Sequence, residues 1–173
     1  ADLTRNPRVQ KALARLGADS RATTEEQIRI TEIPAPPFHE AARGVYLGKL
    51  LSAAGLAVET DGMGNVIGQR PGAVKNDIVL VTAHLDTVFP EGTDVKVKRE
   101  GNLLKGPGIG DDCRGLAVLT TIIREFGEDP GVLQLLHLLA PRRDRPKQLG
   151  AFLQNRLCPF AIVPEVRPGG FGI

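Results

Sequence analysis

The chain has 173 residues, enough for one domain with a sizeable core. Its hydrophobic content of 42% and charged content of 24% are those of an ordinary globular protein, and no run of about 18 apolar residues indicates a membrane span. A formal net charge of +2 is too small to indicate a polyanionic partner, and an aromatic content of 4% argues against a base-stacking surface, so we expect neither nucleic acid nor a membrane as partner.

The N-terminal part of the sequence predicts three helices. The Asn-Pro pair at residues 6–7 is a favourable helix start, and Gly17 is expected to end that helix. Thr23, with Glu26 three residues later, fits a capping box at the start of a second helix. Residues 40–54 predict the third helix, whose apolar face is expected to contain Ala42, Val45, Tyr46, Lys49 and Leu50.

A strand-rich block follows the third helix. Residues 56–60 alternate between polar and apolar side chains, and a turn leads to a return strand at residues 65–68. Residues 78–85 form a continuous apolar run, which is typical of a strand in the centre of a sheet. The alternating residues 94–98, followed by a turn and residues 103–104, predict a hairpin at a sheet edge.

The remaining elements complete an α/β fold. Residues 132–140 predict a short buried helix, residues 151–160 a further helix and residues 162–163 a short strand. Helices interleaved with an apolar central strand predict an α/β/α sandwich, with a mixed sheet and flanking helices. A helix over residues 114–126 is expected to bury Leu116, Leu119, Thr120, Ile123 and Phe126.

The composition changes near residue 140. Residues 1–140 contain 16 Lys and Arg against 18 Asp and Glu, whereas residues 141–173 contain six against two. We therefore divide the chain into a domain, residues 1–140, and an atypical basic Pro/Arg-rich tail, residues 141–173, for which disorder and a shifted reading frame are both open explanations. Residues 142–147 raise a further hypothesis, a basic module that binds an anion, although a solvated linker explains so short a run.

Cysteine usage indicates a reducing compartment. Cys113 and Cys158 are too few for a disulfide framework, although a single bridge stays open. No basic-then-apolar signal segment begins the sequence, so we expect a cytoplasmic protein. Because the chain begins with Ala1 rather than Met, export before N-terminal processing remains an alternative.

His84 and Asp86 are the first candidate site residues. They follow the apolar run of residues 78–85 two positions apart, so on a strand their side chains point to the same side. A metal-binding imidazole usually has a carboxylate behind it that fixes its tautomer, and ligands of open α/β sheets bind at the carboxyl ends of strands. The pair therefore suggests a metal ligand, His84, and its orienting group, Asp86, although a lone histidine after a strand is more often a packed or surface residue.

A glycine-rich acidic loop is the second candidate. Residues 106–112 read Gly-Pro-Gly-Ile-Gly-Asp-Asp. Its glycines permit the backbone angles and close approach that a loop over a site requires, and the spacing does not fit a dinucleotide fingerprint or a P-loop. Asp111 and Asp112 could bind a metal, but an acidic residue here could equally cap the following helix.

Three other reactive residues have weaker cases. Cys113 stands beside the acidic pair, but no nearby base is indicated, so we interpret it as structural. His39 lies in a proline-rich loop, and His137 is expected on a helix face.

Four motifs in order resemble the co-catalytic zinc exopeptidases, in the branch with aminoacylase, carboxypeptidase G and peptidase T. They are residues 33–36 (Ile-Pro-Ala-Pro) with Glu40, residues 61–68, residues 82–90 (Thr-Ala-His-Leu-Asp-Thr-Val-Phe-Pro) and residues 106–112. The resemblance runs from about residue 20 to Gly127 and covers the N-terminal part of the family's catalytic domain. It implies a truncated α/β/α sandwich of the zinc-exopeptidase type.

The resemblance also implies roles for the site residues. His84 would bind one zinc ion, Asp111 would bridge two, and Asp86 would act in catalysis by holding the far nitrogen of His84. The reaction would be hydrolysis of small peptides or N-acyl amino acids by a metal-activated water. Co²⁺ or Mn²⁺ would also suit such ligands. No site for an organic cofactor is implied, and the resemblance does not fix the oligomeric state.

Other parts of the family pattern cannot be placed in this sequence. Family members continue to an adjacent Glu-Glu pair that supplies the general base and a ligand, and to a distant histidine. His84 and Asp111 are two ligands, whereas catalytic zinc sites usually have three plus water. We therefore expect impaired activity, with a catalytically silent fragment that acts through a partner chain as the alternative. A shifted frame or gene truncation would explain the change, and a Glu-Glu motif in another frame of the DNA after Gly127 would support it.

Overall fold

The computed structural model describes residues 2–70, 78–125 and 133–139, without the side chains of 3, 78, 79 and 133–139. After a short 3-10 turn at Leu3–Arg5, its helices are α1 (Pro7–Ala18), α2 (Ser20–Thr31), α3 (Ala41–Ala53) and α4 (Cys113–Glu125). Its strands are β1 (Ala57–Thr60), β2 (Val66–Arg70), β3 (Ile78–His84), β4 (Lys98–Glu100), β5 (Leu103–Lys105) and β6 (Leu133–Leu139). The expectations for Cys158, Phe126 and residues 140–173 lie outside the described residues.

A four-stranded mixed sheet organises the domain, in the order β1-β2-β6-β3. β1 and β2 pair antiparallel, β2 and β6 pair antiparallel, and β3 and β6 pair parallel. His84, the last residue of β3, is the partner of Leu139 at the end of β6. The predicted α/β fold with a mixed sheet is therefore confirmed, and His84 lies at the carboxyl end of a parallel strand pair. Among the described strands β3 is at an edge of the sheet and β6 is in its interior, so the central position expected for residues 78–85 is wrong.

The expectation of a helix at residues 132–140 is wrong. Leu133–Leu139 is strand β6, with β2 along one edge and β3 along the other. His137 is accordingly on a strand and not on a helix face. An unbroken apolar run carries neither the helical nor the strand period, and an interior strand of a sheet permits such a run.

Helix α3 buries a different face from the one predicted. Its buried residues are Arg43, Gly44, Leu47 and Leu51, whereas Val45 is exposed. A Cβ on Gly44 would lie 3.3 Å from Cγ2 of Val66, so the absence of a side chain there lets α3 approach β2 closely. The prediction did not include the buried face, which contains an arginine, a residue type that is almost never fully buried unless it is paired.

Three smaller boundaries also differ. α2 begins at Ser20, and its N-cap residue is Asp19. Thr23 lies within the helix, and its hydroxyl donates to the Asp19 carbonyl. The predicted capping box, with Thr23 at the start of the helix, is therefore wrong. α1 starts as predicted, with the Asn6 side chain accepting from the Arg8 amide at 2.9 Å, but it extends past Gly17. β4 and β5 form a separate two-stranded sheet and not an edge of the main sheet, and residues 94–97 are not in a strand.

The core lies between the helices and the sheet. Helix α4 buries Leu116, Leu119, Thr120 and Ile123, as predicted. None of the described helices is both long and apolar enough to cross a bilayer. The core cluster contains Ile30, Leu47, Leu51, Leu56, Val66, Ala83, Leu85, Cys113, Leu116, Ala117, Leu119 and Ile123.

Candidate metal centre

The imidazole of His84 is held between two carboxylates. Its Nδ1 lies 2.9 Å from the backbone carbonyl oxygen of Asp86 and 3.3 Å from Oδ1 of the same residue. Its Nε2 lies 3.0 Å from Oδ1 of Asp111. The His84 side chain is 27% exposed, that of Asp86 15% and that of Asp111 85%. One ring nitrogen therefore faces the protein, and the other faces a carboxylate at the surface.

These contacts favour the protonated ring. The hydrogen bond with Asp86 raises the pKa of His84 to about 9, with further contributions from Asp111 and the charge of Asp112, against the opposing effect of burial. When the ring is protonated, both of its nitrogens donate to these acceptors. A metal ion at Nε2 would take the place of one of those protons.

The acidic loop contacts β3 twice. While Asp111 faces the imidazole, Oδ2 of Asp112 accepts a hydrogen bond from the backbone N–H of His84 at 3.2 Å. Asp112 directly precedes α4, and its carbonyl accepts the Leu116 amide at 2.9 Å. The Asp111–Asp112 peptide bond is cis. Asp112 therefore stands at the start of the helix, as the capping alternative requires, and its carboxylate also fastens the loop to the strand.

A glycine allows this loop to approach the strand end. Gly108 has φ of 72°, in the region that favours glycine. A Cβ at this position would lie 2.5 Å from Cγ2 of Thr87. Thr87 is the residue after Asp86, so the glycine-rich loop packs directly against the segment that carries His84 and Asp86, as the sequence suggested.

Sequence reasoning missed Arg43. This side chain is fully buried, and its Nη1 donates to the carbonyl of Leu85, between His84 and Asp86, at 2.7 Å. Burial lowers the pKa of its guanidinium, against the attraction of nearby acidic groups. The helical spacing offered a signal: Arg43, Leu47 and Leu51 follow one another at intervals of four residues, so they lie on one face of α3.

The other reactive residues do not join this centre. Cys113 is fully buried, and burial raises the pKa of its thiol, which fits the structural role predicted for it. His39 pairs at the surface with Glu91, with Nδ1 and Oε2 3.7 Å apart. Within residues 2–70, 78–125 and 133–139, no group of three or more His, Cys, Asp or Glu is arranged to hold a metal ion. The described part of the chain thus brings together two candidate ligands and one orienting carboxylate.

Comparison with known proteins finds similarity to peptidases. The sequence model of peptidase family M28 matches residues 65–140. An uncharacterized protein of Bacillus subtilis (strain 168), YqjE, is 31% identical over 117 residues, which are 61% of this chain and 31% of the relative. The chain therefore spans about a third of the length of that relative.

Solved structures give the same fold. Aminopeptidase PepT from Bacillus cereus superposes with a TM-score of 0.65 at 22% identity, over 78% of this chain and 40% of that one. Human carnosine dipeptidase 1 superposes with a TM-score of 0.71 at 12% identity, over 85% of this chain and 38% of that one. The resemblance predicted from the motifs is therefore confirmed at two levels: an aminopeptidase and a dipeptidase share this fold, and residues 65–140 match a peptidase family.

Proposed function

We propose that this chain contributes one side of a zinc site that hydrolyses small peptides or N-acyl amino acids, as part of a metallo-exopeptidase or amidohydrolase. The observation that carries the proposal is the 3.0 Å separation of His84 Nε2 and Asp111 Oδ1, with the other nitrogen of His84 bound by Asp86. The match to a peptidase family over residues 65–140 supports the reaction class, because those residues include the whole candidate centre.

The donor set fits a zinc ion. Zinc binds imidazole nitrogen and carboxylate oxygen at about 2.0–2.2 Å, so two such donors in a tetrahedral site lie about 3.3 Å apart. The observed 3.0 Å needs only a few tenths of an ångström of adjustment, and Asp111 is exposed enough to supply it. The same donors would accept Co²⁺ or Mn²⁺.

Each residue has a chemical role in this proposal. His84 and Asp111 would bind the metal, and Asp86 would act through His84 by fixing the ring and increasing its basicity. When bound, zinc would polarise a scissile carbonyl and lower the pKa of water to about 7. Asp112 would hold the loop that carries Asp111 against the end of β3, so that the two ligands keep their separation.

Two ligands are fewer than the three that catalytic zinc usually has. We therefore expect weak metal binding and little hydrolysis from the described residues alone, unless ligands and a general base come from elsewhere. A complete site should bind two zinc ions tightly per chain, in keeping with the co-catalytic family. Failure of zinc to bind would favour the alternative of a catalytically silent chain that acts through a partner.

Calorimetric titration of the full chain with Zn²⁺ and Co²⁺ tests the proposal. We expect H84Q and D111N to abolish the metal binding seen with the natural sequence, and D86N to weaken it by about 10- to 100-fold. The matched control is H39Q, which removes the exposed histidine that pairs with Glu91 and should leave the affinity unchanged. Equal binding by H84Q and the natural chain would contradict the assignment.

An assay of metal-loaded protein then tests the reaction. Dipeptides, tripeptides and N-acyl amino acids are offered separately, and release of a free amino acid is measured. Hydrolysis that disappears in H84Q and persists in H39Q would support the proposed activity. Metal binding without hydrolysis of any of these substrates would limit the proposal to a metal site.

A further inference from the structure

Arg43 lies entirely inside the protein and contacts the backbone between His84 and Asp86. Its side chain is 0% exposed, and two of its nitrogens donate to backbone carbonyls at 2.7 Å: Nη1 to Leu85 and Nη2 to Ile33. Its Nε is also buried, with no hydrogen-bond partner among the described residues. A guanidinium in this position joins three segments: α3, the end of β3 and the loop that follows α2.

Burying the charge of Arg43 costs free energy of folding, which a structural role of this side chain would offset. Moving a cation out of water is expensive unless it is paired and hydrogen-bonded, and the direct partners of Arg43 are neutral carbonyls. The carboxylates whose charge favours the guanidinium are Asp86 and Glu40. Arg43 therefore lies within electrostatic reach of Asp86, the residue that binds His84.

The bond to Leu85 acts on the geometry of the centre. Leu85 is the single residue between His84 and Asp86, and its own side chain is fully buried. Fixing both its side chain and its carbonyl leaves the chain little freedom to change direction after β3. That direction determines whether the carbonyl and carboxylate of Asp86 reach Nδ1 of His84, at 2.9 and 3.3 Å.

A second contact between the same two segments strengthens this arrangement. The amide of Thr87 donates to the Ala35 carbonyl at 2.9 Å, and the Thr87 hydroxyl donates to the same oxygen at 3.3 Å. The loop of residues 33–35 is thus tied to residues 85–87 at both ends. Of the side chains that link these two segments, Arg43 is the charged one, and it extends from α3 to both.

We propose that Arg43 is a positioning residue of the candidate metal centre, which holds the His84–Leu85–Asp86 bend so that Asp86 orients the imidazole. The planar guanidinium reaches two carbonyls at once, which the single ammonium of lysine cannot do with the same geometry. The inference deepens the proposed function, but its structural part, the orientation of His84 by Asp86, holds without any metal.

The test compares R43M and R43K with L51A in the full chain. Leu51 is a fully buried residue on the same helix, two turns away, and it packs near Gly68 instead of the centre. L51A therefore reports what loss of packing alone does. Two readouts are measured under conditions in which each variant is folded: the ¹⁵N and ¹H signals of the His84 ring in metal-free protein, and Co²⁺ affinity with its absorption spectrum.

We expect R43M to shift the His84 ring signals away from those of the natural protein and to weaken Co²⁺ binding by about 10- to 100-fold. R43K should give a smaller change in both readouts, and it is the informative variant if R43M does not fold. L51A should lower stability while leaving both readouts as they are in the natural protein. Native ring signals in R43M or R43K, or the same disturbance in L51A, would overturn the inference.

The two proposals can fail separately. If the natural chain binds no Co²⁺, the proposed metal function fails, and the ring signals of His84 still decide the role of Arg43. If the natural chain binds Co²⁺ and R43M binds it equally well with unchanged ring signals, the metal function stands and the role of Arg43 is wrong.

Discussion

The carboxylate of Asp112 accepts a hydrogen bond from the backbone amide of His84, with Oδ2 3.2 Å from the nitrogen. Because Asp111 precedes it, the same loop places a second carboxylate 3.0 Å from the imidazole of His84. One acidic pair thus binds both the backbone and the ring of a single residue. The separation of the two candidate ligands therefore depends on the position of Asp112.

A substitution at Gly115 tests whether the separation of His84 and Asp111 depends on the position of Asp112. A Cβ on Gly115 would lie 1.9 Å from Oδ1 and 2.7 Å from Cγ of Asp112, so G115A must displace this carboxylate. Replacing a helical glycine by alanine normally stabilises a helix by about 0.5–1 kcal/mol, but the clash should outweigh this gain. We expect a net loss of about 1–3 kcal/mol in the free energy of unfolding, measured with denaturant, and faster hydrogen exchange at the His84 amide.

The control is G17A, at a glycine of α1 where an added Cβ meets nothing within 4 Å. This variant should be as stable as the natural chain or more stable by up to about 1 kcal/mol. A G115A protein that matches G17A in both stability and exchange would show that Asp112 has room to move and does not fix the loop.

The sequence predicted those parts of the fold that have a local period or a turn signal. β1 and β2 were found from their alternation and turn, and the buried face of α4 from its helical spacing. β6 was missed because its run of leucines has no period, and its strand state depends on pairing with β2 and β3. Tertiary context also determined which face of α3 is buried.

The candidate site was predictable where its parts are close in sequence. His84 and Asp86 stand two residues apart at a strand end, and the glycines of residues 106–110 indicated a loop that curls over a site. Arg43 could not be found in this way, because its contact with Leu85 spans 42 residues and a buried arginine is unusual. No local pattern indicates which carbonyl an internal arginine will bind.

A buried hydroxyl pair links α2 to α4 and predicts non-additive stability. Oγ1 of Thr23 lies 2.9 Å from Oγ1 of Thr121. The Thr23 hydroxyl is also within hydrogen-bond distance of the carbonyl of Asp19, the N-cap of α2, and the Thr121 hydroxyl of a carbonyl in α4. T23V or T121V alone should cost about 1 kcal/mol, because the remaining hydroxyl loses a partner. The double variant should cost less than the sum, as measured by denaturant unfolding in a double-mutant cycle. Strict additivity would show that the two hydroxyls act independently.

Glu32 predicts an acid dependence of stability. Its Oε1 accepts the Val97 amide at 3.1 Å, and its Oε2 lies 3.1 Å from Nζ of Lys96. The Val97 amide first, and then Lys96, lower the pKa of this carboxyl from its usual 4.5. Because the folded pKa is below the unfolded one, the carboxylate stabilises the fold above about pH 4.5, and the contribution is lost as the pH falls through the folded pKa.

We therefore expect the natural chain to lose more stability than E32Q when thermal unfolding is compared between neutral and acidic pH. K96M separates the two causes. Because the backbone bond to Val97 is the larger one, K96M should keep most of the acid dependence. The assignment to Val97 is wrong if K96M removes this dependence as completely as E32Q does.

Tyr46 gives a prediction at alkaline pH. Burial, and then the hydrogen bond from its hydroxyl to Oε1 of Glu26 at 2.5 Å, raise the pKa of Tyr46 to about 12. The folded state therefore favours the neutral phenol, and this stabilisation, complete below the unfolded pKa of about 10, is lost as the pH rises towards 12. Because the chain has one tyrosine and no tryptophan, the near-ultraviolet absorbance of tyrosinate reports this group alone.

In that titration the folded protein should show its midpoint near pH 12, and the denatured chain near 10. E26Q should lower the folded midpoint but keep it above 10, because burial is the larger cause and the glutamine carries no charge. E25Q is the control, since Glu25 pairs with Arg99 on the neighbouring hairpin and should leave the midpoint of Tyr46 unchanged. A folded midpoint near 10 in the natural chain would mean that water reaches the phenol and that its bond to Glu26 does not persist in solution.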